Sequence, residues 1–255
     1  MPLSRADHPP VTPSPRTYGT PNPPTSAPLT GSPSLDHNGA APGKPLAGLD
    51  DLDAVGSAAF PILSPNGPFK EISLEVIYAE GHSPSNAAVS SLLATLRSVS
   101  GKRVIRGSDR AIPAKGAAYS VPEIQDISQG RTTKSIAPRV SILVIYLDSG
   151  LDEAPFTLGA TVGATVMVVF PDKMKRLSED VTAIETAASV HELGHILGLI
   201  NYVITSPRVR EDPEHLGHST NKKSAMHWAI DSSHVTSEVG ATPPTTFDAD
   251  DLADL

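Results

Sequence analysis

His191-Glu192-Leu193-Gly194-His195-Ile196-Leu197-Gly198 is the stretch around which the chain organises itself. On a helix, residues four apart stand one above the other, so His191 and His195 present two imidazole nitrogens to a single metal ion. Glu192 follows the first of them directly, where its carboxylate reaches a water held by that metal. Zinc is the ion this H-E-x-x-H spacing suits. Just upstream, Ser178 offers an N-cap, and Glu179 and Asp180 place negative charge near the positive end of the helix dipole. Ala183, Ala187, Val190, Gly194 and Leu197 form a narrow stripe of mostly small residues, predicting a helix laid closely on a sheet with both histidines turned to a cleft. Gly194 costs about 1 kcal/mol of helix propensity relative to alanine, which close approach of that sheet would justify. The helix stops at Gly198, where the chain must turn sharply.

Further upstream the pattern alternates between strand and helix. Ile72, Leu74, Val76 and Tyr78 alternate with more polar residues, as in a half-buried strand. Ser83-Pro84 predicts an N-cap and first helical position, and Val89, Leu92, Leu93, Leu96 and Val99 recur at helical spacing up to Gly101. Lys102 to Arg106 reads as a second short strand, so strand, helix and strand form a crossover unit and the sheet is at least partly parallel. Gly107 to Arg139 carries little pattern beyond a brief helix around Pro122 to Ile127. Ser141 to Leu147 is an almost unbroken apolar run, suited to a strand buried on both faces. Leu158 to Phe170 reads as one further strand, at the sheet edge nearest the metal and suited to holding an extended peptide.

Composition narrows the alternatives. The 255 residues carry a formal charge of -8 and no cysteine. With no Lys/Arg cluster to neutralise phosphates, sequence-independent binding to nucleic acid is not expected. The lack of thiols removes disulfides and thiolate metal sites. No run of about 18 apolar residues predicts a membrane span, and Met1 to Arg16 has no basic-then-apolar leader pattern. The compartment stays open. Residues 1–48 hold 12 of the 25 prolines and show no apolar period, predicting a disordered linker. Residues 49–69 read as an irregular lead-in; its Leu49-Asp50-Asp51-Leu52-Asp53 could lay a carboxylate on the metal, although a solvated acidic loop is the plainer reading.

H-E-x-x-H-x-x-G resembles the metzincin peptidases, in which a histidine or aspartate three residues after the glycine is the third ligand. Asn201 occupies that position, and its neutral amide oxygen is a weak zinc ligand. His218-Ser219-Thr220-Asn221-Lys222-Lys223-Ser224-Ala225-Met226 resembles the archaemetzincin tail H-C-x-x-x-x-C-x-M, with serine at both cysteine positions. That resemblance implies His218 as third ligand, Met226 in a methionine turn beneath the metal, and residues 201–217 as an insertion. His215, within the insertion, is the runner-up ligand. The second, cysteine-bound zinc of archaemetzincins has no ligands here. Ser224-Ala225-Met226-His227-Trp228 is also similar to the astacin methionine turn, but Trp228 stands where that family has a tyrosine and cannot ligate zinc. His227 could assist an oxyanion, with packing the plainer reading, and His82 and His234 read as surface or packing residues.

The resemblance implies an α/β (α+β) zincin-like domain over residues 70–255: a mixed, mostly parallel twisted sheet with a backing helix and an active-site helix up to residue 200, then a small irregular C-terminal subdomain. A helix after the methionine turn is expected near Thr246 to Leu255. The implied function is a zinc-dependent endopeptidase acting on a peptide or protein substrate, with one Zn²⁺ and Glu192 as general base. Two other readings stand beside it: an inactive zinc-binding interaction domain, and a zinc hydrolase of non-peptide amides.

Overall fold

The computed structural model describes residues 54–178, 180–240 and 242–255. The expectations for the proline-rich residues 1–48 and for Leu49 to Asp53 lie outside them, as does Glu179. The lead-in read as irregular contains a short helix, α1 (Ala59–Leu63), and contributes Ala58, Ile62 and Phe69 to the core.

Five strands make one sheet in the order β2-β1-β3-β5-β4. Strand β1 (Glu71–Ala79) pairs in parallel with β2 (Arg103–Ile112) on one side and β3 (Arg139–Tyr146) on the other. Helix α2 (Asn86–Ser100) makes the crossover between β1 and β2, ending at Gly101 in the left-handed conformation (φ 62°). Its N-cap is Ser85 rather than Ser83: the Ser85 hydroxyl accepts the Ala88 N–H at 3.1 Å, while its own N–H donates to Glu185, keeping the chain extended past Pro84. Strand β2 also runs longer than its apolar residues suggested. It lies at an edge, so only backbone pairing was needed to extend it.

Between β2 and β3, α3 (Val121–Gln129) begins at a capping box formed by Ser120 and Glu123. It covers one face of the sheet. The alternation of β3 divides two cores: Val140, Ile142, Val144 and Tyr146 join the larger, with Leu92 and Leu96 of α2. Leu143, Ile145 and Leu147 face the smaller, closed by Tyr119 and Ile124.

Residues 158–170 form a hairpin, not one strand. β4 (Gly159–Thr161) runs antiparallel to β5 (Val166–Val169), and β5 continues the parallel sheet beside β3. The chain reverses where the Val162 N–H donates to the Val166 carbonyl, in a turn without the Asn-Gly or Pro that would mark it in sequence. Only the three residues of β4 therefore form the edge opposite β2.

After the short α4 (Pro171–Met174) comes α5 (Val181–Ile196), which carries the histidines. Asp180, not Ser178, caps it by accepting the Ala183 N–H, while the Ser178 hydroxyl accepts the N–H of Asp180. From Ile184 to Ile196 the helix is buried on every side. Gly194 is not pressed against the sheet as expected. A Cβ there would lie 2.1 Å from Met226 Sδ, so the close approach is that of the methionine turn. Met226 is followed by a 3₁₀ turn (Trp228–Asp231), α6 (Val235–Glu238) and α7 (Ala249–Asp254), the last capped by Asp248 with Asp251 reaching back. No described helix is long and apolar enough to cross a membrane.

Candidate metal centre

His191 and His195 sit one turn apart on α5 with their Nε2 atoms 3.0 Å apart. The Nδ1–H of His191 donates to the Ala225 carbonyl at 2.7 Å, which turns the lone pair of Nε2 toward His195. Beyond Gly198 (φ 76°), Ile200 (φ 53°) and Asn201 (φ 63°), all left-handed, the chain leaves the helix and returns with His218. Donation from His218 Nδ1 to the carbonyls of His215 and Leu216, at 3.2 and 3.1 Å, leaves its Nε2 buried and, among the described residues, without a partner. The ligand nitrogens of His191, His195 and His218 all lie within 4.8 Å of one another. Tetrahedral zinc would place them about 3.4 Å apart, so the three imidazoles could hold that ion with small adjustments.

Burial holds these rings neutral, as metal binding requires. It lowers His191 well below its ordinary value, lowers His195 to about 3 with help from His218, and lowers His218 as well.

Glu192 is 1% exposed. Its Oε2 accepts the Thr161 hydroxyl of β4 at 2.9 Å, and its Oε1 has no partner among the described residues. Burial first, then the neighbouring Asp231, pushes its carboxyl well above the usual range. Asp231 ends the 3₁₀ turn, and burial raises it to about 7. It falls within 4.8 Å of ligand atoms of His191 and Glu192. A cleft of about 250 Å³ opens over this centre, lined among others by Glu192, His195, His218, Asp231 and all three residues of β4.

Met226 is fully buried beneath Gly194. Its turn is tied down by the Ser224 hydroxyl, which lies 2.9 Å from both the Met226 N–H and Asp251 Oδ2. The other sequence candidates lie apart from the three rings. Asn201 is exposed, donates to Glu211 at 2.7 Å and accepts the Ser206 N–H. The His215 ring stacks on Trp228, centroids 4.2 Å apart, and meets Asp212. His227 is buried and caps the 3₁₀ turn by accepting the Ala229 N–H, while His82 pairs with Asp172.

Among the cleft residues that the sequence did not point to are Asp231 and Tyr202. The Tyr202 ring meets His195 edge-on at 5.0 Å and lies over Gly217 (φ 80°), where a Cβ would clash with it. Neither belongs to a spaced pattern. Only the return of the insertion and the turn after Met226 bring them to the metal centre.

A mostly parallel α/β sheet, a buried helix bearing H-E-x-x-H and a methionine beneath it define a zincin-like fold. Its likeness among solved structures is to archaemetzincin from Methanopyrus kandleri, at 18% identity and a TM-score of 0.51, covering 75% of this chain and 96% of that one. Archaemetzincin from Archaeoglobus fulgidus (16% identity, 72% and 99% covered, TM-score 0.42) and a zinc-dependent peptidase from Methanocorpusculum labreanum (15%, 71% and 98%, 0.43) align less closely. The chain thus has an archaemetzincin-like fold. No protein-family model and no curated protein sequence matches it.

Proposed function

We propose that the chain is a zinc-dependent endopeptidase with one catalytic ion held by His191, His195 and His218. The observation carrying this reading is the convergence of three neutral imidazoles beside a buried, half-partnered glutamate. A site serving structure alone has no need of that glutamate. When bound, zinc supplies Lewis acidity that lowers the pKa of a water and polarises a carbonyl.

Glu192 takes the proton from the attacking water at Oε1, the oxygen left free by Thr161, and delivers it to the leaving nitrogen. Burial, which raises its proton affinity, suits a group that must accept and then return a proton near neutral pH. Thr161 Oγ, 2.9 Å from both the Glu192 carboxylate and the Glu192 carbonyl, fixes the base against the sheet edge. The substrate adds as a further strand along β4, with affinity from main-chain hydrogen bonds.

Metal content of the purified wild type, His218→Ala and Asn201→Ala tests the ligand set. We expect zinc in the first and third and its loss in the second; zinc retained in His218→Ala defeats the assignment. Digestion of casein or a peptide library, abolished by a chelator and restored by zinc, tests the activity.

A further inference from the structure

One hydroxyl in the cleft has no task in the mechanism above. Tyr202 lines the cavity over the metal centre together with Glu192, His195 and His218, and its ring meets that of His195 edge-on. The residue is 45% exposed, and among the described residues its hydroxyl makes no hydrogen bond. The backbone around it is built to put the ring there. Ile200 and Asn201 both stand in the left-handed region, which a β-branched residue rarely adopts and which surrounding contacts must enforce. The N–H groups of Val203 and Ile204 close this turn by donating to the Gly198 carbonyl at 3.2 and 3.0 Å. The Asn201 amide donates to Glu211 at 2.7 Å, and Glu211 accepts the Gly217 N–H at 2.8 Å. Through Glu211, Asn201 thus joins the segment that carries Tyr202 to the one that carries His218. Gly217 is the seat of the ring: a Cβ there would lie 2.4 Å from Tyr202 Cε2. A phenylalanine would fill that seat equally well, so packing gives the hydroxyl no purpose. A phenol keeps its proton at neutral pH and can donate it to a hydrogen bond.

We infer that Tyr202 is a catalytic residue whose hydroxyl donates a hydrogen bond to the scissile carbonyl oxygen as negative charge develops on it. This role rests on the peptidase reading and adds a residue to it. When water adds to the carbonyl carbon, the C–O π bond opens and its electron pair goes to the oxygen. Tyr202 stabilises that charge and keeps its own proton, while Glu192 alone carries the proton of the water to the leaving nitrogen. Such a donor acts on the transition state more than on the bound peptide.

The test compares the full zinc-loaded chain with Tyr202→Phe, which removes one oxygen and keeps the ring. Zinc content should be equal, kcat should fall about 10²-fold, and KM should change by less than about twofold. A second readout needs no turnover. A phosphinic analogue of a peptide cut in the library digestion carries a tetrahedral anionic group in place of the scissile amide. By calorimetry it should bind Tyr202→Phe about 10²-fold more weakly than wild type, whereas the uncut parent peptide should bind Glu192→Gln with or without Tyr202→Phe alike. An unchanged kcat overturns the inference. So does a loss confined to KM, which would make the ring a wall of the substrate cleft and nothing more. Loss of zinc from Tyr202→Phe would make the phenol a metal ligand, and equal binding of the phosphinic peptide would remove its contact with the transition state. Either result overturns the inference while leaving the peptidase reading intact. A wild type that binds no zinc and cuts no peptide overturns both.

Discussion

A single carboxylate carries the chemistry proposed here, and its surroundings are tuned to it. Replacing Glu192 by Gln keeps its shape but removes the base. Zinc content should be unchanged and peptide cleavage should fall by about 10² to 10⁴, measured on the same zinc-loaded sample. Asp231 allows a prediction of the opposite kind, in stability. Its folded-state value of about 7 lies above the ordinary 3.8, so between those limits the folded chain holds a proton that the unfolded chain has lost. Stability therefore falls as pH rises through that window. Metal-free Asp231→Asn should melt above the metal-free wild type at pH 8, and the gap should close as pH is lowered to about 4. A gap independent of pH would mean that the carboxyl is not perturbed by its site. At this scale His191, Glu192 and His195 were legible because one helix fixes their spacing. Asp231 and Tyr202 were not, because nothing local links them to the other three.

The central element is α5, and its least helical residue is the one its packing most requires. Changing Gly194 to Ala removes a cost of about 1 kcal/mol in helix propensity. The added methyl, however, would fall 2.1 Å from Met226 Sδ, with Phe247 close behind. Overpacking of this kind costs about 1–3 kcal/mol, so Gly194→Ala should be a net loss in urea denaturation and should weaken zinc binding by moving the turn beneath the rings. A more stable Gly194→Ala would show that the turn yields freely. The existence of α2, α5, β1 and β3 was readable from apolar period, but their ends were not. Ser85 and Asp180 cap in place of Ser83 and Ser178, because a cap is chosen among nearby polar residues by where neighbouring elements hold the chain. The 158–170 hairpin was missed for a related reason: small and apolar residues run on through its turn, where Gly163 stands without the Asn-Gly or Pro that marks a hairpin.

Across the whole molecule, the insertion that separates Gly198 from His218 is anchored at a distance. Arg210 is buried and binds Asp251 at 2.5 Å and also Asp254, both on α7, while its carbonyl accepts the Thr220 N–H two residues beyond His218. Asp251 in turn bonds Ser224 of the methionine turn. One guanidinium thereby joins the insertion, the C-terminal helix and the floor of the metal centre. Arg210→Met leaves the buried Asp251 without its cation, while Asp254 keeps Arg208 at 3.1 Å, and breaking such a buried pair costs about 3–5 kcal/mol. The expected result is an unfolding free energy, extrapolated from urea denaturation, lowered by about that amount together with weaker zinc binding; a change within about 0.5 kcal/mol, roughly the level of an exposed pair, would place the clamp outside the fold's stability.

What the amino-acid sequence determined on its own is what local geometry can carry: a helix with two imidazoles one turn apart, a carboxylate between them, and a strand apolar on both faces. His218 was reachable only through its resemblance to a known tail, since 22 residues separate it from His195. The tertiary structure decided which histidine returns to the pair, which face of Gly194 is crowded, and that Asp231 stands beside Glu192. These are contacts between segments distant in the chain, set by how the insertion, the methionine turn and the C-terminal helix bury one another. No spacing within a single segment encodes them.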